Sequence, residues 1–222
     1  MIVTIDGPSG TGKSTVARLL AQRLGFSFFD TGAMYRALAW WILQERFDIY
    51  NVADLQKHLP RFSFLITENL GEKKYWVDEV DVTEAIRTKE VTEAVSKISA
   101  IGEIRQLLLP LQRTYGKNHN VVFEGRDLGT VVFPEAEVKI FLTARPEIRG
   151  KRRFLELKAK KPDADLCLEE IVSSLEQRDE QDSSREVAPL KCPHDALMLD
   201  TSDYSIDQVV EMLLQHTLTK KK

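Results

Sequence analysis

Across 222 residues the chain has only two cysteines, Cys167 and Cys192, and nothing around them has metal-ligand spacing. A disulfide-stapled fold is thereby excluded, and both are expected to be free thiols in a reducing compartment. The sequence also lacks an unbroken apolar stretch of the ~18 residues that a membrane-spanning helix requires. It lacks a basic excess as well: 31 Lys and Arg stand against 34 Asp and Glu, for a formal net charge of -3. Such a balance argues against duplex nucleic-acid binding, which draws on phosphate neutralisation by clustered cations. No internal repeat or low-complexity tract interrupts the chain. The first apolar run begins at Ile2 and leaves no room for a leader, so a cytoplasmic location, with no membrane partner, is expected. The terminal Lys220-Lys221-Lys222 reads as a frayed, solvated end, with a nucleic-acid or membrane patch as the alternative.

What the chain does contain is the run Gly7-Pro8-Ser9-Gly10-Thr11-Gly12-Lys13-Ser14-Thr15, which fills every fixed position of the phosphate-loop pattern G-x-x-x-x-G-K-[ST]. Upstream, Ile2 to Ile5 is an apolar run too short for a helix. Downstream, Val16, Leu19, Leu20 and Leu24 recur at helical spacing until Gly25 offers a stop. A strand, a glycine-rich turn and a helix therefore follow one another as the motif requires. Glycines let successive backbone N–H groups turn inward around a polyphosphate. Lys13 would meet the β- and γ-phosphates, Ser14 would offer a hydroxyl to Mg²⁺, and the helix N-terminus would face the same oxygens.

Short apolar runs recur at Ile2 to Asp6, Phe26 to Phe29, Val121 to Glu124, Val138 to Leu142 and Ala196 to Asp200, with helical patterns between them. The alternation predicts a parallel five-stranded sheet flanked by helices, an α/β fold. Ser205 to Gln208 forms a capping box for a last helix with an apolar face of Ile206, Val209, Val210, Leu213 and Leu214. Two segments break the rhythm. From about residue 60 to 83, alternating Phe62, Phe64 and Ile66 and the turn signals Asn69-Leu70-Gly71 and Asp78-Glu79 predict a small antiparallel sheet. Helices are predicted from about Thr88 to Ala100 and from Glu103, where Pro110 should kink or end the second. The other break runs from Arg145 to Val187: an arginine-rich helix, a loop at Lys160 to Asp165, and a second helix.

Three further clusters carry chemistry. Asp30-Thr31-Gly32-Ala33-Met34-Tyr35-Arg36 opens a helix after the second strand, and its amides with Arg36 suit a second anion. Asp30 acting as a simple cap is the alternative. Glu124-Gly125-Arg126-Asp127 ends the third strand, at the carboxyl edge where open α/β sheets place ligands. An architectural Arg126 to Asp127 ion pair would also account for it. Arg178, Asp182 and Arg185 repeat at four and three residues, so they share one helix face that either converges on a ligand or is solvated.

Taken together, these motifs, with Glu124 to Pro134 and Arg178 to Pro189, resemble those of bacterial cytidylate kinases nearly end to end. The resemblance implies a phosphate-loop core over 1–56, 116–148 and 186–222, a monophosphate-binding insert over 57–115, and a helical lid over 149–185. It implies ATP as donor with Mg²⁺, CMP or dCMP as acceptor, and a monomer. ATP would be held by residues 7–15 with Arg152 and Arg153. The acceptor phosphate would lie near Thr31, Arg36 and Arg126, the cytosine near Ser96, Arg105 and Asp127, and the sugar at Asp182, with Arg178 and Arg185 nearby. Lys13, Arg126, Arg178 and Arg185 would carry catalysis, and Ser14 the metal. Gln181 stands where relatives often carry arginine, and Glu124 where aspartate is frequent. Spacing leaves open which of Arg149, Arg152, Arg153 and Arg178 meets the transferred group. Physical sense agrees with the base assignment, because cytosine's amino group donates where a carboxylate accepts. Three rival readings, a different small-acceptor kinase, a nucleotide switch and a nucleic-acid-binding protein that uses the arginine-rich segment, fit less well, the last because of the acidic balance of the chain. No N-K-x-D guanine motif is present for a switch.

Overall fold

Five parallel strands carry the first part of the architecture, identified in a computed structural model that describes residues 1–69, 72–117 and 119–220. They are β1 (Ile2–Asp6), β2 (Ser27–Asp30), β6 (Val121–Glu124), β7 (Val138–Thr143) and β8 (Leu197–Asp200), in the spatial order β2-β6-β1-β7-β8. A second sheet has three strands, β3 (Phe64–Asn69), β4 (Glu72–Val77) and β5 (Val80–Asp81). The helices are α1 (Lys13–Leu24), α2 (Thr31–Glu45), α3 (Val52–His58), α4 (Lys89–Ile98), α5 (Gly102–Gly116), α6 (Pro146–Lys160), α7 (Leu168–Ser184) and α8 (Ile206–Lys220). Contacts group the chain into two units, Met1–Phe29 with Tyr115–Lys222, and Asp30–Thr114. Leu70 and Gly71 of the predicted turn, and Lys221 and Lys222 of the tail, lie outside the described residues.

In the first unit, β1 sits between β6 and β7, and both faces of these strands are covered, so their sequences are nearly continuous apolar runs. Val3, Ile5, Val122, Ile140 and Leu142 pack with Val16, Ala17, Leu20 and Ala21 of α1 and with Val209, Val210, Leu213 and Leu214 of α8. Each large aliphatic side chain buried this way contributes about 1.5–3 kcal/mol relative to exposure. Register decides where the chemistry falls. Ile5 pairs with Glu124, and the Gly125 amide donates to the Ile5 carbonyl at 3.1 Å, so the segments after β1 and β6 leave the sheet at one edge.

Local signals end the elements where the sequence placed them. Gly25 closes α1 in the left-handed region (φ 67), and the Phe26 amide reaches back to the Ala21 carbonyl at 2.9 Å. The capping box of α8 is reciprocal: the Gln208 amide donates to Ser205 Oγ at 3.2 Å, and the Ser205 amide to Gln208 Oε1 at 2.9 Å. α6 and α7 pack closely because Gly150 has no side chain; a Cβ there would fall 2.3 Å from Val172 Cγ2.

In the second unit, Asp30 caps α2 by accepting the Ala33 amide at 3.0 Å, and Thr88 caps α4. α2 buries Met34, Leu38, Trp41 and Ile42, while α4 buries Val91, Val95 and Ile98. β4 turns into β5 through Asp78 and Glu79, both at positive φ (47 and 69), and Asp78 accepts the Trp41 indole N–H at 3.0 Å. Of the two outcomes expected at Pro110, an end is excluded: α5 continues to Gly116. Both Pro110 and Gln106, whose carbonyl loses its helical donor, are exposed, so water can satisfy that group.

Candidate active site

The loop after β1 is a backbone cradle held from two sides. Gly7 has φ 142, and a Cβ on it would fall 2.0 Å from the Leu142 carbonyl oxygen, so only glycine lets the chain pass β7 so closely. Gly10 has φ 77 and meets α6, where a Cβ would lie 3.0 Å from that of Arg149. Lys13 opens α1 and is buried; its Nζ donates to the Pro8 carbonyl at 2.6 Å. Burial, and then the nearby charge of Arg126, lower its pKa from 10.5 to about 7, with Arg178 acting the same way and Glu124 and Asp179 opposing.

Ser14 follows, and its hydroxyl donates to Glu124 Oε1 at 2.9 Å, which brings a hydroxyl and a buried carboxylate from two elements side by side. Two hard oxygen donors suit Mg²⁺, which keeps its remaining positions for phosphate and water. Among the described residues no cluster of three or more His, Cys, Asp or Glu competes as a metal cage. Asp6, the last residue of β1, is fully buried and accepts the amides of Leu128 (3.0 Å) and Gly129 (2.8 Å). It thereby fixes the turn that carries Arg126 and Asp127. Burial pushes its carboxyl up to about 7, against the pull of those two N–H groups.

Around the loop the charges are cross-linked. Arg126 donates from Nε to Asp182 Oδ2 at 3.0 Å and from Nη2 to Ser9 Oγ at 3.0 Å. Arg185 meets Asp127 at 3.6 Å and Asp182 at 3.5 Å, and its Nε donates to the Ala188 carbonyl at 2.6 Å. Of the three residues expected to share one helix face, Arg178 and Asp182 lie on α7, whereas Arg185 follows its end in extended backbone (φ -61, ψ 141), from where it still meets Asp182; Arg178 is close enough to act on the charge of Lys13. The architectural pair weighed for Arg126 takes another form, in which Arg126 meets Asp182 and Asp127 meets Arg185.

The basic residues of α6 separate. Arg149 donates to the Ser9 carbonyl at 3.0 Å and pairs with Asp179. Arg152 donates to the Thr201 carbonyl at 2.6 Å and hydroxyl at 2.9 Å, and also contacts the Thr11 carbonyl at 3.3 Å. Arg153 pairs with Glu156 at 2.8 Å within its own helix. In the second unit Thr31 is buried, Arg36 donates to Thr92 Oγ1 at 2.9 Å, and Arg105 donates to the Ser99 carbonyl at 2.9 Å and lies over the Tyr35 ring at 5.3 Å. Ser96 stands half-buried on α4, and its carbonyl accepts the Ser99 hydroxyl at 3.2 Å.

Three participants were not singled out from the sequence. Asp6 and Thr201 both end or follow strands at the carboxyl edge, so the edge rule that found Glu124 would have found them. Asp179 precedes Asp182 by three residues on α7, the same helical face, and was lost in the charge run.

Residues 3–219 match the cytidylate kinase family. The chain is 50% identical to the cytidylate kinase of Protochlamydia amoebophila over 223 residues, covering all of this chain and 98% of that one. It is 45% identical to the cytidylate kinase of Carboxydothermus hydrogenoformans, over 97% of this chain and 96% of that one. A shikimate kinase from Acinetobacter baumannii, solved with shikimate, covers 99% of this chain and 94% of its own at TM-score 0.52 and 15% identity, a likeness of fold alone. With its phosphate loop, edge carboxylates and arginines so disposed, the chain belongs to the cytidylate kinase family.

Proposed function

We propose that this protein moves the γ-phosphoryl group of ATP to CMP or dCMP, giving ADP and the pyrimidine nucleoside diphosphate. The observation that carries the proposal is the cluster at the carboxyl edge, where part-buried Arg126 and Arg178 act on the charge of buried Lys13 beside the phosphate loop, in a chain related to cytidylate kinases over its whole length. The acceptor phosphate is already largely ionised at neutral pH, so no general base is needed. Catalysis is then positioning and charge: Lys13 with Arg126, Arg178 and Arg185 neutralises oxygens as the group passes in line from donor to acceptor. Bound with the donor phosphates, Mg²⁺ would supply further charge neutralisation, and Ser14 and Glu124 are the side chains that fit it.

Residues 7–15 with Arg152 form the proposed ATP site; Arg153 belongs to it only by leaving Glu156. In the first unit Arg126 is assigned to the acceptor phosphate, Asp127 to the cytosine amino group and Asp182 to the sugar. In the second unit the same reading assigns Thr31 and Arg36 to a phosphate and Ser96 and Arg105 to a base. The proposal places the enzyme in pyrimidine nucleotide metabolism, as a cytoplasmic monomer.

The test is coupled ADP release with ATP and Mg²⁺ against a panel of nucleoside monophosphates and simple hydroxylated metabolites. CMP and dCMP should lead the panel, and a metabolite or a purine monophosphate in their place would overturn the reading. Asp127→Ala should lower the ratio of kcat/KM for CMP over UMP by about tenfold or more, because uracil presents a carbonyl where cytosine presents the donor. An unchanged ratio would move base recognition elsewhere.

A further inference from the structure

We propose that Asp179 is a positioning residue of the donor site: its carboxylate claims the Ser9 amide and the Arg149 guanidinium, two donors that the terminal phosphate of a nucleoside triphosphate also seeks. This rests on the proposed use of ATP and adds to it a side chain that sets how tightly that phosphate is held.

The geometry is specific. Asp179 Oδ1 accepts the Ser9 amide at 2.8 Å, inside the phosphate loop. Its other oxygen pairs with Arg149 Nη1, the same nitrogen that donates to the Ser9 carbonyl at 3.0 Å. One carboxylate and one guanidinium thus bracket a single loop residue, Ser9, from both sides. The Arg149 and Asp179 side chains are only 8% and 15% exposed, so their charges are weakly screened. Arg149 Nε is buried and meets no hydrogen-bond partner among the described residues. A phosphate oxygen arriving at the loop would give that N–H an acceptor.

The field of Asp179 also reaches Lys13, where it is one of the carboxylates that favour the charged ammonium. A phosphate drawn to Lys13 therefore meets repulsion from Asp179 and competition for Ser9 and Arg149 at once. The carboxylate keeps the guanidinium of Arg149 at the loop rim, where Gly10 lets α6 approach, and must yield part of it as the terminal phosphate binds. ADP lacks that phosphate and competes far less.

The experiment compares Asp179→Asn and Asp179→Ala with the unaltered enzyme, using calorimetric titration of a non-hydrolysable ATP analogue and of ADP, each with Mg²⁺. Asn keeps the shape and an oxygen for Ser9 but drops the charge. It should tighten the ATP analogue about three- to tenfold while changing ADP less than twofold, and the gain should shrink at high salt. Ala should tighten the analogue at least as much; if it fails to fold, the isosteric Asn variant decides alone. Unchanged or weaker analogue binding by Asn, or an equal gain for ADP, would overturn the assignment. An unaltered enzyme that binds neither nucleotide would overturn the proposed function as well.

Discussion

The phosphate loop and the far end of α7 handle the same kind of charge by opposite means. Between Gly7 and Thr15 the structure works through backbone: glycines at positive φ let the chain run against β7 and α6, and α1 begins inside the motif. Between Arg178 and Arg185 it works through side chains, and apart from the Arg185–Asp182 pair the named contacts there reach another element or loop. Asp179 meets Ser9 and Arg149, and Asp182 meets Arg126. Arg185 meets Asp127. A cradle made of backbone is encoded locally, whereas a network of side chains exists only once strands and helices have been assembled.

The largest effect should come from the one charged side chain that the loop itself contributes. Lys13→Ala should lower kcat with CMP by about 10²–10³, the usual loss on removing a charge stabiliser from a transition state. Folding should change little, because the lysine is buried at a cost that its lowered pKa records. Steady-state kinetics beside thermal unfolding checks this. A melting temperature that collapses along with kcat would make Lys13 part of the scaffold and blur the contrast between the two regions.

Gly10→Ala tests the backbone side of the contrast directly. A left-handed φ costs an alanine about 1–2 kcal/mol, and the new Cβ would sit 3.0 Å from that of Arg149. Denaturant unfolding should therefore show a loss of about 1–2 kcal/mol, and affinity for the ATP analogue should fall by more than that stability loss explains, because the amides of Ser9 and Thr11 would be re-aimed. Wild-type affinity in a destabilised variant would mean that the amides do not form the cradle.

The same contrast explains what was legible in the sequence. The parallel sheet, the small antiparallel sheet, the caps at Gly25 and Ser205 and the phosphate loop all follow from neighbours within a few residues. Boundaries moved only slightly, as where β2 starts at Ser27 because Phe26 is still completing the cap of α1. Whether Pro110 would end α5 was not legible, because its cost depends on whether the freed carbonyl meets water, which is a tertiary fact. In the site, residue types and helical spacing brought out Arg178, Asp182 and Arg185, but not their partners. Asp179 reaches across 170 residues to Ser9, and Arg152 binds Thr201 49 residues away. Periodicity along one helix carries no trace of such pairings.

The smallest expected effect is a proton count, and it separates the loop lysine from the acid at the other end of the turn. Lys13 has its pKa lowered from 10.5 to about 7, so between those values the unfolded chain binds more protons and the group's contribution to stability rises with pH. Asp6 is raised from 3.8 to about 7, so across that lower window the folded chain holds more protons and its contribution falls as pH rises. A phosphate bound at Lys13 restores the ammonium, whereas Asp6 faces the Leu128 and Gly129 amides. Binding of the ATP analogue should therefore take up close to one proton at about pH 8–9 and almost none at about pH 6. Calorimetry in buffers of different ionisation enthalpy reads the uptake, and Lys13→Ala should abolish it. Uptake that persists in that variant would assign the proton to another group and leave the lysine permanently charged.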